Sequence, residues 1–312
     1  MIMNASATSH SKLLSEPDTR QPLLTLGFIG LGAMGWAMCG HLQHAGHRLR
    51  VFARDRVKRE RAAHAGMQVC DSPAEAAMGA AFVFTNVTST PDVEQVLLGP
   101  EGAALGASPG TICVDHSTIA PAGARRIAAA LDEAGIHFLD APVSGGEKGA
   151  REATLSIMVG GEPEAYTRAL QLLSLLGSTI THVGPAGSGQ VAKLCNQIVQ
   201  VINIEGIAEA MRFAQAEGAD LHRVLHAISA GFAGSRMLDL MGPKMAARDF
   251  AAGIPARLHA KDFGLAAEAA RQAGLALPAL GAVHAQLDRL MALGMGDDDT
   301  SSLLRTLEQP QN

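Results

Sequence analysis

Between Leu24 and Gly160 short apolar runs alternate with amphipathic segments of helical length. "LTLGFIGL" reads as a strand, Met34 to Ala45 as a helix ending at Gly46, and "HRLRVFAR" as a second strand. "AAFVFTNV", "GTICVDHS", "IHFLDAPV" and "LSIMVGG" continue the series. Buried strands spaced by helices predict an α/β domain with a doubly wound, mainly parallel sheet. Near Gly184 the texture changes. After "VGPAGSGQ" an apolar helical period runs from Val191 to Ala216, interrupted only by Gly206. "LHRVLHAIS", "DFGLAAEAARQAG" and "LGAVHAQLDRLMALG" then follow with helical spacing. The second half therefore reads as an all-α C-terminal domain, joined to the sheet by a helix too long for an ordinary connector. We divide the chain into a frayed tail (1–24), a sheet domain (25–186) and a helical domain (187–312).

Composition narrows the function classes. The chain has 312 residues, 47% apolar and 18% charged, with a net charge of -5, as a soluble globular protein has. That charge is small and of the wrong sign for unspecific nucleic-acid binding, and 4% aromatic residues leave little for base stacking. Cys39, Cys70, Cys113 and Cys195 are scattered, with no CxxC pair, and read as reduced thiols of a cytoplasmic protein. The tail lacks the apolar core of a secretory signal, and no apolar run is long enough to cross a bilayer. No His/Asp/Glu cluster has metal-ligand spacing, so no metal is expected.

"GFIGLGAMG" carries GxGxxG spacing directly after the first strand. Gly30 suits the tight turn, Gly32 a close approach of diphosphate to backbone, and Gly35 close helix–sheet packing. Leu31, Ala33 and Met34 complete a loop whose N–H groups open a helix, where anions are favoured. Alone, the motif fits a nucleotide site and a plain β–turn–α junction equally. Its place between strand and helix, with a second strand ending about twenty residues on, favours the nucleotide. That strand ends "VFARDRVKRER". Arg54 can meet a 2′-phosphate, which favours NADP(H); Asp55 can instead serve a 2′-hydroxyl, which keeps NAD(H) open.

Four blocks in order, "GFIGLGAMG", "DAPVSGG" (140–146), "GSGQVAKLCNQ" (187–197) and "LHAKD" (258–262), with "GDDDTSSLL" beyond them, resemble the β-hydroxyacid dehydrogenase family. The resemblance implies a Rossmann domain, an all-α second domain, a homodimer or homotetramer, and NAD(P)-dependent interconversion of a 3-hydroxy acid and its aldehyde. "FAGSRMLDLMGPKMAARDF" followed by "ARLHAKD" looks most like the tartronate semialdehyde (2-hydroxy-3-oxopropionate) reductase branch. 3-Hydroxyisobutyrate, succinic semialdehyde and glyoxylate remain alternative substrates, and a nucleotide-binding sensor is the non-enzymatic alternative. Ala153 departs from the family, which usually has glycine there.

The same resemblance assigns roles. Lys193 is the acid/base residue and Asn196 helps hold the reacting oxygen, with Gln197 on the same helix face. By spacing alone, Lys193 reads as an ordinary helix lysine snorkelling from an apolar face. Ser144, Gly145 and Gly146 suit the carboxylate of a small substrate. Thr118 matches a position near nicotinamide and substrate, and otherwise reads as an N-cap. Val87 and Thr88 match a cofactor-lining turn, and Lys261 a lysine that closes the site. Ser235 reads equally as a substrate contact and as a helix cap. His116 and His259 read as structural.

Overall fold

The computed structural model describes residues 23–309. The tail expected at 1–24 thus lies outside them except for Leu23 and Leu24, and the Leu24 carbonyl already accepts the Arg48 N–H at 2.9 Å. Among the described residues nine strands form one sheet: β1 (Thr25–Ile29), β2 (Arg48–Phe52), β3 (Gln68–Val69), β4 (Phe82–Thr85), β5 (Ile112–Asp115), β6 (His137–Asp140), β7 (Val143–Ser144), β8 (Leu155–Gly160) and β9 (Gly177–Gly184). Their order is β3-β2-β1-β4-β5-β6-β8-β7, with β9 paired to β8. The first six are parallel, β8 runs antiparallel to β6 and β7, and β9 is parallel to β8.

Seven helices accompany the sheet: α1 (Ala33–His44), α2 (Arg56–His64), α3 (Pro73–Ala77), α4 (Thr90–Leu98), α5 (Pro121–Asp132), α6 (Gly146–Arg151) and α7 (Pro163–Ser174). Alternate strand residues serve opposite faces. Phe82, Phe84, Ile112 and Val114 join a core with α1 and α7, whereas Val83 and Cys113 pack with α3, α4 and α5. The helical half comprises α8 (Ser188–Ala216), α9 (Leu221–Ser229), α10 (Arg236–Ala247), α11 (Ala256–Gln272), α12 (Pro278–Ala292) and α13 (Leu303–Glu308). It has its own core of Val201, Ile204, Met211, Phe263, Leu287 and neighbouring apolar residues. The 29-residue α8 spans roughly 43 Å at 1.5 Å per residue, long enough to serve both halves.

β9 escapes the apolar pattern because it is an edge strand. Its side chains are mostly exposed or half-buried, so "GSTITHVG" has no continuous apolar run. The antiparallel turn at β8 is equally invisible, since period-two alternation marks a strand without its direction.

Ala153 adopts φ +53°, in the left-handed region that favours glycine. Its departure from the family pattern therefore carries backbone strain. Ala153→Gly should raise unfolding stability by about 1 kcal/mol, partly offset by the freer unfolded chain. Urea denaturation checks this, and an unchanged or lower midpoint counts against the strain.

Glu205 on α8 is 4% exposed, and neither carboxylate oxygen has a hydrogen-bond partner among the described residues. Burial, reinforced by the Glu209 charge, pushes its pKa from 4.5 up to about 7. The folded chain thus keeps a proton that the unfolded chain releases, so stability falls as pH rises from about 4.5 to 7. Glu205→Gln should remove that slope, gaining about 3 kcal/mol above neutrality and little near pH ~4. An equal gain at both pH values in urea titrations would refute it.

Candidate active site

The parallel strands end together. Ile29 is in register with Phe52 and Thr85, Thr85 with Asp115, and Asp115 with Asp140. Residues following these ends share one rim, and the sheet order reverses between β1 and β4, where α/β sheets open a ligand crevice. Gly30 has φ +101°, and a Cβ there would collide with the Asn86 carbonyl. A Cβ at Gly35 would collide with the Gly30 carbonyl, so α1 rests directly on the turn. Gly32 differs: open space lies where its Cβ would stand, and no side chain caps α1. An uncapped helix start beside an open glycine fits a dinucleotide diphosphate held by the loop Gly30, Leu31, Gly32, Ala33, Met34 and Gly35.

Arg54 follows β2 with an 82% exposed side chain, 3.6 Å from Asp92. It lines a cavity of about 160 Å³ with Phe52, Pro73, Val87, Asp92 and Val96. Asp55 caps α2 instead, accepting the Lys58 N–H at 3.0 Å. Val87 donates its N–H to Ser117 Oγ at 2.9 Å. A larger cavity, about 560 Å³, opens between the starts of α4 and α5 and the second half of α11. None of the site residues expected from sequence lines it.

Buried polar side chains dock α8 on the rim. The Asp140 carboxylate accepts the Gly187 N–H at 2.7 Å and the Gln190 N–H at 2.8 Å. Gln190 takes the Ile119 N–H at 3.0 Å and donates to the Ser117 carbonyl at 2.8 Å, bracketing Thr118. Lys193, one turn further along α8, is 7% exposed, and its ammonium makes no hydrogen bond or ion pair among the described residues. Burial lowers its pKa from 10.5; the Asp262 carboxylate opposes this shift and the Lys261 charge reinforces it.

Lys261 crosses between the halves. Its Nζ donates to the Thr88 and Thr118 carbonyls, each at 2.9 Å, and lies 3.0 Å from Asp262 Oδ1. Asp262 also accepts from Gln197 Nε2 at 2.6 Å, and Gln197 Oε1 accepts from Asn196 Nδ2 at 2.9 Å. Both ends of Gln197 are thus engaged within the protein. Thr118 is not an N-cap: α5 starts after Ala120, whose N–H goes to Thr90 Oγ1 at 3.0 Å. Ser144 ends β7, with Gly145 at φ +132° and Gly146 at φ +61° after it, and open space lies at the Gly146 Cβ position. Ser235 caps α10, accepting the Leu238 N–H at 3.0 Å. His116 is 2% exposed, bonded to the Ala141 carbonyl at 2.8 Å, and burial pushes its pKa down to about 4. Among the described residues no group of three or more His, Cys, Asp or Glu side chains could hold a metal, and no helix is long and apolar enough to cross a membrane.

Residues 25–184 match the family described as the NAD binding domain of 6-phosphogluconate dehydrogenase. Residues 187–307 match the NAD-binding family of NADP-dependent 3-hydroxyisobutyrate dehydrogenase. The chain is 41% identical to the 2-hydroxy-3-oxopropionate reductase of Escherichia coli over 93% of its length and 99% of that protein's. The chain belongs to the β-hydroxyacid dehydrogenase family. This β-hydroxyacid dehydrogenase is also 36% identical to an NAD-dependent L-serine dehydrogenase of Pseudomonas aeruginosa, over 92% of the chain and 98% of that protein. Its fold overlays Mycobacterium tuberculosis 3-hydroxyisobutyrate dehydrogenase, solved with L-serine, at a TM-score of 0.86 and 32% identity, covering 92% and 100% of the two chains. It is an NAD(P)-dependent oxidoreductase with a Rossmann domain and a helical C-terminal domain.

Sequence reasoning missed several polar residues of the candidate site. Asp140 and Gln190 lie inside matched blocks, and the signal was present: an aspartate at a buried strand end needs donors. Gln200 had no local signal, and Thr300, although inside "GDDDTSSLL", had none for its partner, because both meet at His259, 59 and 41 residues away.

Proposed function

We propose that this dehydrogenase interconverts 2-hydroxy-3-oxopropionate and glycerate with NADP(H) as the preferred cofactor, acting as a homodimer or homotetramer in the cytoplasm. The observation that carries the chemistry is Lys193, a 7% exposed lysine on the stretch of α8 that Asp140 and Gln190 dock on the sheet rim. A bound nicotinamide cofactor supplies the hydride. During reduction the Lys193 ammonium stabilises the negative charge growing on the carbonyl oxygen and gives it a proton; in oxidation the neutral amine takes the hydroxyl proton. Burial lowers the Lys193 pKa and so favours the neutral amine that oxidation needs. Asn196 helps hold the reacting oxygen. Ser144 Oγ and the N–H groups of Gly145 and Gly146 receive the substrate carboxylate, and Lys261 keeps the helical half against the turns at Thr88 and Thr118. Ser235 and Gln197 sit less directly, through their cap and bridge.

The 41% relative supports the substrate pair. A panel of semialdehyde acids, including 2-hydroxy-3-oxopropionate, assayed with NADPH and NADH tests it. A higher kcat/KM on methylmalonate semialdehyde (the aldehyde of 3-hydroxyisobutyrate), succinic semialdehyde or glyoxylate would move the assignment, and turnover of none would leave the sensor reading. L-Serine belongs in the same panel as a hydroxy acid, because two relatives carry it in their descriptions. Arg54 supports NADP(H), since its guanidinium is exposed beside the smaller cavity while Asp55 is spent on α2. Arg54→Ala should raise the KM for NADPH at least about ten-fold and leave NADH unaffected. An unchanged NADPH value would remove the 2′-phosphate from Arg54.

A further inference from the structure

The orientation of the Asn196 amide is set by two hydrogen-bonded chains. Nδ2 donates to Gln197 Oε1 at 2.9 Å and to Gln200 Oε1 at 3.3 Å. One chain continues from Gln197 Nε2 to the Asp262 carboxylate at 2.6 Å. The other passes from Gln200 Nε2 to His259 Nε2 at 3.1 Å and from His259 Nδ1 to Thr300 Oγ1 at 2.7 Å. Thr300 Oγ1 then donates to the Ile254 carbonyl at 3.3 Å.

Each chain ends on a group that can only accept, a carboxylate or a backbone carbonyl. Thr300 spends its hydroxyl proton on Ile254, so it accepts from His259, whose Nδ1 must carry the hydrogen. Nε2 is then bare and accepts from the Gln200 NH₂ group, which turns the Gln200 oxygen towards Asn196. Reversal is blocked at the other end, because it would aim the Gln197 amide oxygen at the Asp262 carboxylate. Both chains leave Asn196 Oδ1 as the unspent polar atom of that side chain.

We propose that His259, held as the Nδ1–H tautomer by Thr300, is a positioning residue that acts through Gln200 to turn Asn196 so that Oδ1, an acceptor, faces a donor group of the substrate, leaving the proton of the reacting hydroxyl to Lys193. The inference rests on the placement of the reaction at Lys193 and Asn196. His259 suits the role because it is 2% exposed, and burial holds its pKa at about 4 against the pull of Asp262. A neutral ring offers one donor nitrogen and one acceptor nitrogen, as this chain requires.

The first measurement is the tautomer of His259 by ¹⁵N NMR on the wild-type protein, for which Nδ1–H is expected; an Nε2–H ring would overturn the proposal. The second is kinetic. Gln200→Leu should lower kcat/KM for the hydroxy acid about ten-fold with the cofactor KM unchanged. His259→Gln, whose Oε1 can still accept from Gln200 Nε2, should retain most of the wild-type rate, whereas His259→Leu should lose as much as Gln200→Leu. A wild-type rate in Gln200→Leu or in a folded His259→Leu would overturn the positioning role. The NMR result does not depend on turnover, so failure of the substrate assignment and failure of the hydrogen-bond chain remain distinguishable.

Discussion

Lys193→Ala is expected to lower kcat for aldehyde reduction by about a thousand-fold while cofactor affinity stays within roughly two-fold, because the amine acts on the carbonyl. Stopped-flow reduction and fluorescence titration with NADPH measure the two quantities separately. A rate within about ten-fold of wild type would end the acid/base assignment. The pH dependence has a sign. Reduction needs the ammonium, so its rate should fall as pH rises through the lowered Lys193 pKa; oxidation needs the free amine and should rise through the same value. Both midpoints should lie below 10.5. Lys193→Met carries a second consequence. It replaces a largely buried lysine, whose charged form burial disfavours, with an apolar chain of similar length, so the inactive variant should unfold at higher temperature than wild type.

Asp140→Ala is expected to cost about 3 kcal/mol of stability and to lower kcat as well. The substitution removes the acceptor for the Gly187 and Gln190 N–H groups, both at the buried start of α8. Each orphaned donor loses a charge-assisted hydrogen bond and keeps its desolvation penalty. Gln190 sits three residues before Lys193, so loosening its hold displaces the amine from the rim as well as weakening the fold. Urea unfolding and kcat together check this. A variant as stable as wild type would mean that the Gln190 side chain alone docks the helix.

The glycine loop and the rod-like helix were legible because each depends on local geometry. Gly30 needs a positive φ and Gly35 a close approach, requirements that restrict the residue type and so leave a mark in sequence. The uninterrupted helical period before and after Gly206 likewise announces α8. Lys193 was readable only through the four matched blocks, since a lone lysine at helical spacing does not declare its burial. Thr118 as an N-cap was a local reading that failed, because Ala120 and Pro121 begin the helix instead. Asp55 shows the opposite case, with its capping role decided within three residues of chain.

Chain chemistry by itself determined the alternation of strands and helices, the all-helical second half, the nucleotide-type turn and the residue types available for proton transfer. These follow from side-chain periodicity and backbone freedom, which act over a few residues. Only the tertiary structure decided that Asp140 and Gln190 seat α8 at the rim, that Lys261 bridges to Thr88 and Thr118, and that Gln200, His259 and Thr300 form one chain behind Asn196. Those contacts join residues far apart along the backbone, and the directionality of hydrogen bonds between buried groups acts only after the fold has brought donor and acceptor together.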